Sequence, residues 1–142
     1  MVNSLEKKLN ELFKNLESKT VEVGFLEGNP TYEDGLNVAT VAYINEHGND
    51  LIPPRPFMSL SVHEQKENIG PQIAKDLKAN GYDSSSALAV TGKNFQEEIQ
   101  LNIVEWEYPE NADYTVEKKG FNDPLIETGL MFDSVDFKVR KD

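Results

Sequence analysis

The stretch from Asp83 to Trp106, DSSSALAVTGKNFQEEIQLNIVEW, decides what this chain can become. Phe95, Ile99, Ile103 and Trp106 recur at spacings of three and four, and Leu88 and Val90 extend the apolar content toward the start. That is the period of one helical stripe. Asp83 to Ser86 supply cap candidates, since their side-chain oxygens can accept from the first orphan backbone donors. The spacing predicts the longest helix of the chain here. Glu97, Glu98, Glu105 and Glu107 read as its wet face, because apolar partners stand at 95, 99 and 103; a two-carboxylate active site is the rarer meaning of such a pattern. ValThrGlyLysAsn around Gly92 resembles a phosphate loop only superficially, since GxxxxGK[ST] is absent and the segment lies inside the helical run.

Working outward toward the N-terminus, Leu5, Leu9, Leu12, Phe13 and Leu16 share one stripe, predicting a helix from about Leu5 to Leu16 with Ser4 as its cap. From Thr20 to Glu27, Val21, Val23 and Phe25 alternate with Thr20, Glu22 and Gly24, as in a half-buried strand. Gly28 to Pro30 and Asp34–Gly35 are turn signals around Tyr32. Asn37 to His47 reads as a short helix ending at Gly48, a left-handed cap position. Pro53, Pro54 and Pro56 then impose a stiff irregular turn. Helices are predicted from Phe57 to about Lys66 and from Pro71 to Asn80, as one unit bent near Gly70, with Gly81 as a stop.

On the C-terminal side, Tyr108 to Asn122 shows neither period and reads as an extended arm or loop, at about 108–124. Phe132 to Arg140 alternates Val135, Phe137 and Val139 with charge, as an edge strand does. The elements define an α+β fold: a small mixed or antiparallel β-sheet with one long and several short α-helices, in a single domain over 1–142.

With 142 residues and 38% hydrophobic content, the chain supports one modest core. Fourteen basic against 25 acidic residues give a net charge of -11, which opposes sequence-specific nucleic-acid binding, because such binding needs cations to displace counterions. Acidity suits solubility before assembly, and beside a passage it would let DNA slide without sticking. Read from charge alone, a DNA-mimicking inhibitor of a host protein is a further function class. No cysteine is present, which excludes disulfides and thiolate metal sites. No signal-peptide core and no membrane span is expected, as no stretch approaches the roughly 20 apolar residues a spanning helix needs.

His47 and His63, with Glu46, Asp50 and Glu64 nearby, are where acid-base chemistry or metal binding would begin, and they define a second hypothesis, a small metal-dependent hydrolase. Their spacing does not match HExxH, and no nucleophile motif accompanies them. The expectation is no enzyme, no catalytic residues, no metal and no cofactor. Trp106, Tyr108 and Tyr114, beside Lys118 and Lys119, could stack on bases, but the net charge favours an interface role.

Two stretches carry a resemblance. The first is AYINEHGNDLIPPRPFM, Ala42 to Met58; the second is TVEKKGFNDPLIETGLMFDSV, Thr115 to Val135. Together they resemble the tail-completion, neck and virion-morphogenesis proteins of tailed bacteriophages, a broad group that includes head-tail joining proteins. His47 stands where that group usually has an aromatic residue such as Phe. The resemblance implies a compact domain with an α-helix packed on a small mixed sheet. It also implies a structural role in the virion, at the head-tail junction or tail end, after assembly in the host cytoplasm. The implied partners are other copies of the chain, commonly six in a ring, and other neck, connector or tail proteins. Structural and interface candidates are Pro54, Arg55, Pro56, Phe57, Trp106, Tyr108, Tyr114, Leu125, Ile126, Thr128 and Gly129. Arg55, fixed between prolines, can bind a carboxylate or backbone carbonyls with little entropy left to lose. Phe57 is expected to plug the core, and Thr128–Gly129 to close a turn that sets the register of the last strand.

Overall fold

The structure is a computed structural model that describes residues 3–107, 109–110, 125 and 128–142. Among the described residues six helices and two strands follow in the order α1 (Ser4–Asn15), β1 (Lys19–Gly24), α2 (Val38–His47), α3 (Phe57–Gln65), α4 (Ile69–Ala79), α5 (Ser84–Glu105), α6 (Leu130–Ser134) and β2 (Asp136–Lys141). The fold is α+β, with an antiparallel sheet of two strands.

The two ends of the chain meet in that sheet. Lys19 pairs with Lys141, Val21 with Val139 and Val23 with Phe137, so these positions share one face; Glu22 opposite Lys138 belongs to the other. Glu22 also bonds Arg140 at 2.9 Å on this polar side. α5 covers the apolar face. It carries Ala87, Thr91 and Gly92 buried in its first half, Gly92 against Val21 and Phe137 of the sheet, and Ile99, Asn102 and Ile103 buried in its second. α3 and α4 pack on the flank of the same helix, which makes α5 the axis of the molecule.

Local chemistry fixes the element ends. Asp83 accepts from the Ser85 N–H at 3.0 Å and caps α5 as expected. Asn37 caps α2 in the same way through the Ala39 N–H, at 2.8 Å. Three boundaries differ from expectation. Asn3, not Ser4, caps α1, accepting from the Glu6 N–H at 2.8 Å. The break between α3 and α4 falls at residues 66–68; Gly70 and Pro71 lie in the first turn of α4, where a missing N–H costs nothing. α4 closes with the Tyr82 N–H donating to the Leu77 carbonyl at 2.7 Å across Gly81. At the C-terminal end, residues 130–134 form helix α6, so the final strand starts at Asp136 and not at Phe132. Ser134 donates to the Leu130 carbonyl at 2.6 Å, a bond that suits a helical turn.

One cluster holds the molecule together: Val38 and Ala42 of α2, Phe57 of α3, Ile99 and Ile103 of α5, Leu125, Met131 of α6, and Val135. Phe25 meets Phe57 edge to face, with ring centroids 6.2 Å apart.

Candidate functional site

The turn between α2 and α3 is built from its own backbone. Asn49 Oδ1 accepts from the Leu51 and Ile52 N–H groups at 2.9 and 2.8 Å, and the Asn49 N–H donates to the Ile52 carbonyl at 2.8 Å. Gly48 has φ 72° and ψ 175°, a region open almost only to glycine. A Cβ there would stand 2.7 Å from the Pro54 nitrogen and 2.8 Å from the Ile52 oxygen, so the expected cap glycine is also a close-approach glycine. The Arg55 N–H donates to the Asn45 carbonyl at 2.6 Å and closes the turn onto α2.

Glu46 has a role that the sequence did not reveal. Its carboxylate accepts from the Met58 N–H at 2.9 Å and the Ser59 N–H at 3.0 Å, and from the Ser59 hydroxyl. Pro56 stands at the cap of α3 and offers no side-chain bond. A carboxylate from α2 supplies that cap from a distance, and its charge suits a helix N-terminus. A glutamate eleven residues ahead of a helix has no local signature.

Arg55 is buried, and the carbonyl alternative is the one realised: Nε donates to the Pro109 oxygen at 2.8 Å and Nη2 to the Glu110 oxygen at 2.9 Å. Burial lowers the pKa of the guanidinium from its ordinary value through loss of solvation. Two parallel donors from a planar fork fix the chain where it leaves α5. Phe57 is fully buried, as expected of a core plug. Pro54 and Pro56 are exposed on the turn.

Leu125, from the second stretch, joins the same core as Phe57. Thr128 Oγ1 accepts from the Leu130 N–H at 3.3 Å, and Gly129 is left-handed at φ 81°. These two residues therefore start α6; the register of β2 is fixed beyond it. Gln96 and Gln100 of α5 donate to the Val135 and Phe132 carbonyls at 2.6 and 3.1 Å and tie this corner to the long helix. Trp106 lies half-buried against the core at the C-terminal cap of α5, with its Nε1 buried. Tyr108, Tyr114, Ile126, Lys118 and Lys119, and the arm at about 108–124 except Pro109 and Glu110, lie outside the described residues.

Other candidates disperse. His47 ends α2, exposed, with its ring 4.3 Å from Tyr43; His63 is exposed on α3. Among the described residues no group of three or more His, Cys, Asp or Glu comes together as a metal site. Glu97 is exposed and pairs with Lys93 at 3.4 Å, as a wet helical face requires. Glu98 departs from that expectation. A hydrogen bond with Glu64, loss of solvation and the Glu64 charge push its carboxyl above the usual range. Asn102, buried between α5 and α3, donates to the Ser61 hydroxyl at 2.7 Å and to Glu64 at 3.3 Å.

What the surface leaves uncovered is apolar. No residue of α1 is buried; Leu5 is 67% exposed and Phe13 71%, with Leu9 and Leu16 also open. Leu51 is 92% exposed at the tip of the proline turn, and Tyr43 is 66% exposed on α2. Among the described residues no helix is long and apolar enough to cross a membrane. No protein-family model, no curated protein and no solved structure matches the chain.

Proposed function

We propose that this chain is a structural, non-enzymatic virion component of a tailed bacteriophage, which completes the tail or joins it to the head as a subunit of a ring. The observation that carries the reading is the use made of the two stretches behind the resemblance. Residues 42–58 and the described part of 115–135 meet in one core, and the polar groups of the first stretch are engaged with the backbone: Arg55 with carbonyls, Glu46 with amides, Asn49 with its own turn. Groups so engaged serve a rigid scaffold, whereas an active site needs polar groups aimed at a substrate. Exposed Leu51, Tyr43 and the α1 stripe are surfaces for neighbouring neck, connector or tail proteins and for further copies of the chain. A hexamer at the head-tail junction or tail end, reached from the host cytoplasm, is part of this proposal. The rival hydrolase draws no support from His47 and His63, which stand exposed on separate helices.

The test is to locate the protein in particles of a phage that encodes it, by antibody labelling and electron microscopy, and to remove it genetically. Label at the neck or tail end, with unjoined heads and tails on removal, is the expected result. Label confined to capsid shells or baseplates would overturn the proposal.

A further inference from the structure

α1 is a helix whose apolar side stays largely open among the described residues, with only Leu12 partly covered. Twelve residues are too few for a stable helix alone in water, where about 12 to 15 residues is marginal even for alanine-rich sequences. Its root is held: the Ser84 hydroxyl at the start of α5 sits 3.0 Å from the Asn15 carbonyl and 2.8 Å from that of Glu17. The rest carries Leu5, Leu9, Phe13 and Leu16 into solvent.

The same molecule has an apolar groove of about 300 Å³ lined by Val23, Phe25, Leu26, Ala39, Tyr43 and Met58, where the end of β1 runs beside α2. α1 leads into the first residue of β1, Lys19, whereas the groove lies at the far end of that strand. At about 3.3 Å per residue the two are some 15 Å apart along the sheet. With its root held by Ser84 and no residue of its own lining the groove, α1 leaves that groove open and is free for another.

We propose that α1 of one copy docks into the β1–α2 groove of a second copy, head to tail. Charge favours a second copy as the occupant. α1 carries Lys7, Lys8 and Lys14 against Glu6 and Glu11, a net +1, so the remaining chain carries -11 minus +1, or -12. Glu46 lines the groove itself. A basic amphipathic helix thus faces an acidic body with an apolar slot, the helix-in-groove mode of recognition. Area favours a closed assembly over a single pair. The open side chains of α1 expose roughly 400 Å² of apolar surface, and the groove presents less than that, so one contact falls well short of the ~1,200 Å² of a stable pair. In any closed assembly each chain gives one helix and receives one, which doubles the surface buried per chain, and the ring reading above selects the head-to-tail form. The inference rests on the ring reading above, but it is tested on the isolated chain.

The full chain is measured by light scattering over a concentration series, beside a Leu9→Gln/Phe13→Gln variant and a Tyr43→Asp variant, all at exposed positions. Glutamine keeps helix propensity, and circular dichroism checks the fold. The expected result is a mass above one protomer for the native chain and a protomer mass for both variants. The chain has no cysteine of its own, so Leu9→Cys and Tyr43→Cys chains, mixed and oxidised, then report the contact directly as a mixed disulfide several-fold in excess of either homodimer. Assembly that survives Tyr43→Asp, with Leu9→Cys homodimers dominant, overturns the groove in favour of helix-helix pairing. A native chain that stays a monomer at every concentration overturns self-docking, and binding of that monomer to anionic vesicles would give α1 a lipid surface instead. Neither result moves the protein from the neck, which labelling of particles decides separately.

Discussion

Gly92 lies in the middle of a helix, where glycine costs about 1 kcal/mol relative to alanine. A Cβ at this position would stand 2.7 Å from the Phe137 ring and 2.8 Å from Val21 Cγ2, so the missing side chain is what lets α5 lie against the sheet. Gly92→Ala is therefore expected to lower stability by about 1–3 kcal/mol through overpacking, against the gain that helix propensity alone would give. A lower urea midpoint with an unchanged m-value checks this. Arg55 shows a second dependence on tertiary contact. Arg55→Lys keeps the charge but loses the fork that holds the Pro109 and Glu110 carbonyls, and a loss of about 1–3 kcal/mol is expected. Denaturation of the Arg55→Lys chain showing a change under 0.5 kcal/mol, at about the limit for an ordinary surface substitution, would refute the clamp.

At the scale of elements, the α3–α5 contact carries a polar seam of Ser61, Glu64, Glu98 and Asn102 inside an otherwise ordinary helical packing. The Glu98 carboxyl is raised above its usual 4.5, first by the hydrogen bond with Glu64 and then by burial and like charge. A group whose folded pKa lies above the unfolded one binds its proton more tightly when folded. Its contribution is full below the usual glutamate range and is lost as pH rises through the raised value. Thermal stability should accordingly fall from just below pH 4.5 upward insofar as Glu98 governs it. Glu98→Gln should remove that slope and raise the melting temperature of the neutral-pH protein. Melting curves of both proteins across this range, measured at constant ionic strength, test it. α1 is the opposite kind of element: its stripe obeys the helical period and yet stays largely exposed among the described residues.

For the molecule as a whole, a net charge of -11 leaves little reason for a broad nucleic-acid surface. The sequence by itself determined the α+β class, the long helix with its cap among Asp83 to Ser86, the alternating strand at Val21 and Val23, and the short helix before Gly48. Each rests on periodicity or on a cap or turn residue that acts within a few positions, so local order suffices to read it. Only the tertiary structure decided that β1 pairs with the last strand, that residues 130–134 are helical, that Glu46 caps α3 and that Gly92 admits the sheet. It also decided that Leu5, Leu9, Phe13 and Leu16 stay exposed. Those outcomes depend on which surfaces meet across long stretches of sequence, and a hydrophobic period states that a face seeks a partner without naming the partner.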